Sequence, residues 1–79
     1  MTVLELRDEL SQGRTDYEFV YRDKRGSICP FNHPNGLFSA DVSYGGVFNT
    51  YYTLDELMSA PFLDGKSLAE VAKEIEFYG

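Results

Sequence analysis

Two adjacent glycines, Gly45 and Gly46, separate LFSADVSY from VFNTYY, and this arrangement constrains the fold more than any other feature of the chain. Both flanking runs are rich in β-branched and aromatic residues. Two glycines between such runs suit a two-residue primed turn, whose central positions require positive φ. A hairpin folded there sets Tyr44 opposite Val47, Val42 opposite Asn49 and Ala40 opposite Tyr51. Successive strand residues point to opposite faces, so Ser39, Asp41, Ser43, Phe48, Thr50 and Tyr52 share the other side. That second face is polar on one strand and aromatic on its partner, as in a half-buried face or an interaction surface.

The segment before the hairpin also reads as strands. DYEFVYR alternates, with Tyr17, Phe19 and Tyr21 on one face and Glu18, Val20 and Arg22 on the other. DKRG reads as a turn in which Gly26 takes positive φ. SICPF returns as a second short strand. Pro30 cannot donate to a ladder, so this strand is expected to be an edge or to break there. NHPNG, residues 32–36, has the composition of a tight connector.

Helix starts share one signature. Thr2, Thr53 and Ser67 are each followed three residues later by a glutamate, which is the capping-box spacing. The first helix is expected from Thr2 to Gln12, with Val3, Leu6 and Leu10 on its apolar stripe, Leu4 widening it and Gly13 as its stop. The second runs from Leu54 to Ala60 and ends before Pro61. The third is read from Ser67 to Phe77, with Leu68, Val71, Ala72 and Ile75 at i, i+3, i+4 and i+7. The fold class is therefore α+β: one domain over residues 1–79, in the order α-β-β-β-β-α-α, an antiparallel sheet with helices packed on one face.

Size and charge narrow the functional classes. A chain of 79 residues buries only roughly 60% of its unfolded surface. One cysteine forms no internal disulfide, which fits a reducing compartment. No apolar run approaches the ~20 residues that a membrane-spanning helix needs, and the N-terminus lacks the basic start and apolar stretch of a signal peptide. A cytoplasmic protein is expected, with no membrane partner. The net charge of −6 argues against direct binding of nucleic acid, which draws on Lys and Arg to neutralise phosphates. The charge is uneven: residues 37–52 carry only Asp41, whereas residues 53–79 carry six acids against Lys66 and Lys73.

Several residues invite a chemical reading. Cys29 and His33 are the single cysteine and histidine, four positions apart. A zinc site needs three or four protein ligands, and the spacing of Asp23 and Asp41 does not supply the rest. A catalytic thiol with a nearby base is chemically possible, but on a strand Cys29 faces the same way as Ser27 and Phe31, and His33 falls in the following turn. GKS at residues 65–67 ends like a phosphate-binding loop, yet the required upstream glycine is absent, since residue 60 is Ala. No catalytic, metal or cofactor site is expected. Candidate interface residues are Phe48, Tyr52 and Tyr51, together with Arg22, Lys24 and Arg25, which either grip an acidic group or form a solvated turn. Glu70, Glu74 and Glu76 form a candidate acidic face.

The stretches LELRDELSQGRTDYEFVYRDKRGSI, TYYTLDELMSAPFLDGKSLAEV and EIEFYG together resemble small uncharacterised proteins of Gram-positive bacteria and their phages. In that group a helix leads into G-x-T-D-Y-x-F, and a D-G-K-S/T-L turn opens the last helix. The resemblance implies a fold and a phage or mobile-element setting, and it brings no activity. The leading expectation is a small non-enzymatic accessory protein that binds another protein. The alternatives are a homodimeric structural or regulatory protein, an acidic mimic of nucleic acid that presents Asp55, Glu56, Asp64, Glu70, Glu74 and Glu76, and last an enzyme using Cys29 and His33.

Overall fold

The computed structural model describes residues 2–13 and 15–78; Met1, Arg14 and Gly79 lie outside them. The elements are α1 (Val3–Ser11), β1 (Tyr17–Tyr21), β2 (Lys24–Asn32), β3 (Phe38–Tyr44), β4 (Val47–Tyr51), α2 (Leu54–Ser59), α3 (Leu68–Val71) and β5 (Glu76–Tyr78). Each helix opens at its expected hydroxyl. Thr2, Thr53 and Ser67 accept from the backbone N–H of Glu5, Glu56 and Glu70, and at Thr2 and Ser67 the glutamate reaches back to complete the box.

The five strands form one antiparallel sheet in the order β4-β3-β2-β1-β5. The glycine hairpin has the register that its sequence dictates, with Tyr44 opposite Val47, Val42 opposite Asn49 and Ala40 opposite Tyr51. Gly45 and Gly46 both take positive φ, 57° and 86°, as a type I′ turn requires. Burial alternates along the sheet. Phe19, Tyr21, Ile28, Ala40, Val42 and Tyr44 are buried in one cluster with Leu6 and Leu10 of α1, Leu57 and Met58 of α2, and Leu68 and Val71 of α3. Tyr17 and Phe77 pack against its margin. No helix of the described residues is long and apolar enough to cross a membrane.

Four sequence expectations are corrected. The third helix stops at Val71, and the chain then extends into a fifth strand. The apolar pattern itself is sound: Leu68, Val71, Ala72 and Ile75 are all buried, and the last turn closes through the Ile75 N–H on the Val71 carbonyl at 3.2 Å. Beyond Ile75, however, EFY has strand character. It covers an otherwise bare β1 edge, and Phe77 meets Phe19 and Tyr17 with ring centroids 5.9 and 6.2 Å apart.

The β1–β2 turn sits on Arg22 and Asp23, both at positive φ (51° and 61°), and Gly26 lies inside β2 opposite Phe19. β2 runs through Pro30 as the middle strand of the sheet. The closing pair Tyr21–Lys24 sets the parity, so Lys24, Gly26, Ile28 and Pro30 turn their backbone groups towards β1. β1 ends at Tyr17, opposite Ile28, so the missing N–H of Pro30 removes no ladder bond. Finally, Leu4 does not widen the buried stripe of α1; it is exposed, and only Leu6 and Leu10 are buried.

Candidate functional site

The strand residues that alternate with the core share a second sheet face on which none is buried. Its central strands carry small side chains: Ser27 and Cys29 on β2, Ser39, Asp41 and Ser43 on β3. The register aligns them in rows, Ser27 with Ser43, Cys29 with Asp41, and Phe31 with Ser39. Ser27 and Ser43 are joined through their hydroxyls at 2.8 Å, and Thr50 Oγ1 donates to Asp41 Oδ1 at 2.8 Å. Large side chains stand around this floor. Phe48 is 80% exposed, Tyr52 68%, Phe31 53% and Tyr78 44%.

Two shallow hollows flank the floor. One of about 280 Å³ is lined by Glu18, Arg25, Ser27, Ser43 and Tyr78. The other, about 220 Å³, is lined by His33, Leu37, Phe38, Ser39 and Tyr52. A larger groove of about 680 Å³ lies elsewhere, between the start of α1 and α3, over Val3, Leu4, Ala69 and Ala72. Thr2, Glu70, Lys73 and Glu74 also line it.

Cys29 and His33 do not act on each other. His33 Nε2 lies 2.8 Å from Ser39 Oγ, and its ring meets Phe31 edge-on at 4.7 Å. The half-buried thiol of Cys29 lies near the Asp16 carboxylate and is paired across the strands with Asp41. Desolvation, and then these two carboxylates, push its pKa up. That is the reverse of the cationic surroundings that make a thiolate nucleophile. Among the described residues, no group of three or more His, Cys, Asp or Glu is placed to hold a metal ion.

The basic trio is dispersed. Lys24 Nζ pairs with Asp64 Oδ1 at 2.9 Å and lies 5.6 Å above the Tyr44 ring; the Arg22 guanidinium lies over Tyr21; Arg25 lines the hollow on the exposed sheet face. The Tyr44 hydroxyl is 2.8 Å from the Tyr21 carbonyl and 3.1 Å from Asp64 Oδ2. Burial and the Asp64 carboxylate push Tyr44 up to about 12, and the hydrogen bond from Lys24 holds Asp64 below the ordinary carboxylate value.

Of the acidic candidates, Glu70 and Glu74 line the groove beside the start of α1 together. Asp55 pairs with Arg7, Asp64 with Lys24, and Glu70 caps Ser67, while Glu76 belongs to β5 rather than to a helix. Of the aromatic candidates, Phe48 and Tyr52 are in solvent. Tyr51 packs against the core, its ring 5.9 Å from that of Phe62.

The sequence reading missed Phe31 and Tyr78 as parts of this surface. Phe31 was within reach, because alternation already set it with Ser27 and Cys29, and only the pairing of β2 with β3 joins it to the Phe48 face. Tyr78 was hidden by the helical reading of the C-terminal segment.

Fold and surface together define a small α+β domain with one exposed, aromatic-rimmed sheet face. No family model matches the chain, and neither a curated protein nor a solved structure matches it.

Proposed function

We propose that the chain is a small accessory protein that acts in the cytoplasm by binding another protein through the exposed sheet face, in a phage or mobile-element setting. The observation that carries this reading is the exposure of Phe31, Phe48, Tyr52 and Tyr78 around a floor of small polar side chains. Aromatic residues that find no core are typical anchors of a protein interface, where burial and a polar surround give both affinity and fit. The helices, in this reading, serve to cover the opposite face. A net charge of −6 favours a protein partner over nucleic acid. The genomic setting rests on the sequence resemblance alone.

The test is a tagged capture from nuclease-treated host lysate at low and high salt, with the wild type beside Phe31→Ser/Tyr52→Ser. The expected result is one partner that the wild type keeps at high salt and the double variant loses while its circular dichroism is unchanged. Salt screens exposed charges over ~8 Å at physiological strength, so loss from the wild type at high salt would assign binding to charged residues instead. Equal capture by both proteins would overturn the reading.

A further inference from the structure

The two edges of the sheet differ in kind. β5 is three residues long and begins on Glu76; a short strand with a charge discourages pairing with another chain. β4, VFNTY, has five residues, no charge and no proline, and Val47, Phe48, Asn49 and Thr50 are all exposed. The parity of the ladder determines which groups this edge offers. A two-residue turn closes on a hydrogen-bonded pair, here Tyr44 and Val47. Asn49 and Tyr51 therefore also turn their backbone groups towards β3, whereas Phe48 and Thr50 turn theirs outwards. The Gly45 N–H, which reaches back to the Arg25 carbonyl at 3.2 Å, fits the same parity.

We propose that β4 pairs antiparallel with β4 of a second copy of this chain, about a two-fold axis through Asn49. Asn49 is the midpoint of the strand, so all five residues find a partner. Phe48 then stands opposite Thr50 of the second copy, and Thr50 opposite its Phe48. Every outward N–H and C=O of these residues is used. On the other side of the strand Val47 faces Tyr51 of the second copy. Both pairings set an aromatic ring against a β-branched side chain, a favourable cross-strand combination.

The strand is self-complementary about Asn49, which suits a second copy as the occupant. A net charge of −6 opposes self-association, so the seam belongs where charge is sparse. Residues 37–52 carry only Asp41, and Asp41 accepts a hydrogen bond from Thr50 within the same hairpin. The pairing joins two five-stranded sheets into one of ten strands. It shares Phe48 with the proposed partner-binding face, and the two readings are told apart because Phe31→Ser/Tyr52→Ser leaves residues 47–51 of the edge strand unchanged.

Light scattering after size exclusion should give about 18 kDa, twice the chain mass of 9.0 kDa. In a Cys29→Ser background, Asn49→Cys should form a disulfide-linked dimer under mild oxidation. The two Cα atoms of a non-hydrogen-bonded antiparallel pair stand about 4.5 Å apart, within disulfide reach. Val47→Cys should not cross-link, because its two copies lie about 13 Å apart in this register.

Phe48→Lys/Thr50→Lys sets like charges opposite each other and should give a monomer. Phe48→Lys/Thr50→Glu sets opposite charges together and should remain a dimer. Circular dichroism confirms that each variant is folded. A folded wild type that stays at the monomer mass, a dimer that survives the double lysine change, or equal cross-linking at positions 47 and 49 would each overturn the proposal.

Discussion

Replacing Gly26 by alanine asks why a glycine interrupts the middle strand. Gly26 pairs with Phe19, and a methyl group on it would stand 2.3 Å from Phe19 Cζ and 2.6 Å from the Ser43 carbonyl oxygen. Neither neighbour yields easily. Phe19 is fully buried, its ring stacked on Tyr44 at 6.0 Å and tilted against Phe77 at 5.9 Å. The Ser43 oxygen is main chain in the adjoining strand. Overpacking costs about 1–3 kcal/mol, and a double clash of this depth belongs at the upper end. The lower unfolded-state entropy of alanine returns about 0.4–1 kcal/mol. The net expectation is a loss of about 2 kcal/mol, from a total of about 4–12 kcal/mol for a chain of this length. A thermal melt followed by circular dichroism should show Tm lowered by about 8–16 °C. Phe19→Leu removes the ring end that collides, so the double variant should lose less than the sum of the single losses, by more than about 0.5 kcal/mol. A Gly26→Ala protein that melts with the wild type would refute the account, since the glycine would then not be there to make room for the ring.

Three further outcomes are expected. Asp23→Gly relieves a left-handed position, φ 61°, and should raise stability in urea by about 0.5–1 kcal/mol; no gain would mean that the turn stores no strain. Tyr44, raised to about 12, is held neutral by the fold. Its contribution is complete below the ordinary tyrosine value near 10 and is lost as pH climbs towards 12. The loss is of the order of 1 kcal/mol once screening at the hydroxyl end is allowed for; Tyr44→Phe should flatten this alkaline limb of the stability curve. Asp64, held low first by Lys24, contributes above the ordinary carboxylate value and loses that contribution as pH falls through its lowered one. Asp64→Asn should therefore remove part of the acid sensitivity of the melt.

The elements most legible in the sequence were those specified by local chemistry. The glycine hairpin came out with its register because a two-residue turn and strict alternation leave one pairing. The helix starts came out because a hydroxyl and a glutamate three residues on satisfy orphan N–H groups wherever they occur. What stayed hidden depended on distant contacts. Nothing local tells Glu76–Tyr78 to leave a helical pattern; the reason is the bare edge of β1 and the place for Phe77 beside Phe19. Nothing local says that Gly26 is needed for space rather than for φ, because the ring that claims the space is seven residues away on another strand. The surface followed the same rule. Phe48 and Tyr52 were readable from alternation, whereas Tyr78 required the fifth strand.

Cys29 gives the most direct check on whether reactive chemistry belongs on this sheet face. Its position was readable, and its surroundings were not, since Asp16 comes from before β1 and Asp41 from β3. Desolvation and the two carboxylates act in the same direction, against the thiolate. Because the thiolate is the species that alkylates, iodoacetamide at neutral pH should modify folded Cys29 more slowly than it modifies an unstructured cysteine peptide, and urea should close the gap. Asp41→Asn removes one opposing charge without altering the size of the side chain, and the rate should rise. It also changes what Thr50 donates to, so thermal melts of both proteins must show that the hairpin is intact. If native Cys29 reacted faster than the peptide, some cation would have to outweigh both carboxylates. His33 is bonded instead to Ser39, so a fast thiol would contradict the arrangement of this face, and it would count against the proposal that the face serves binding.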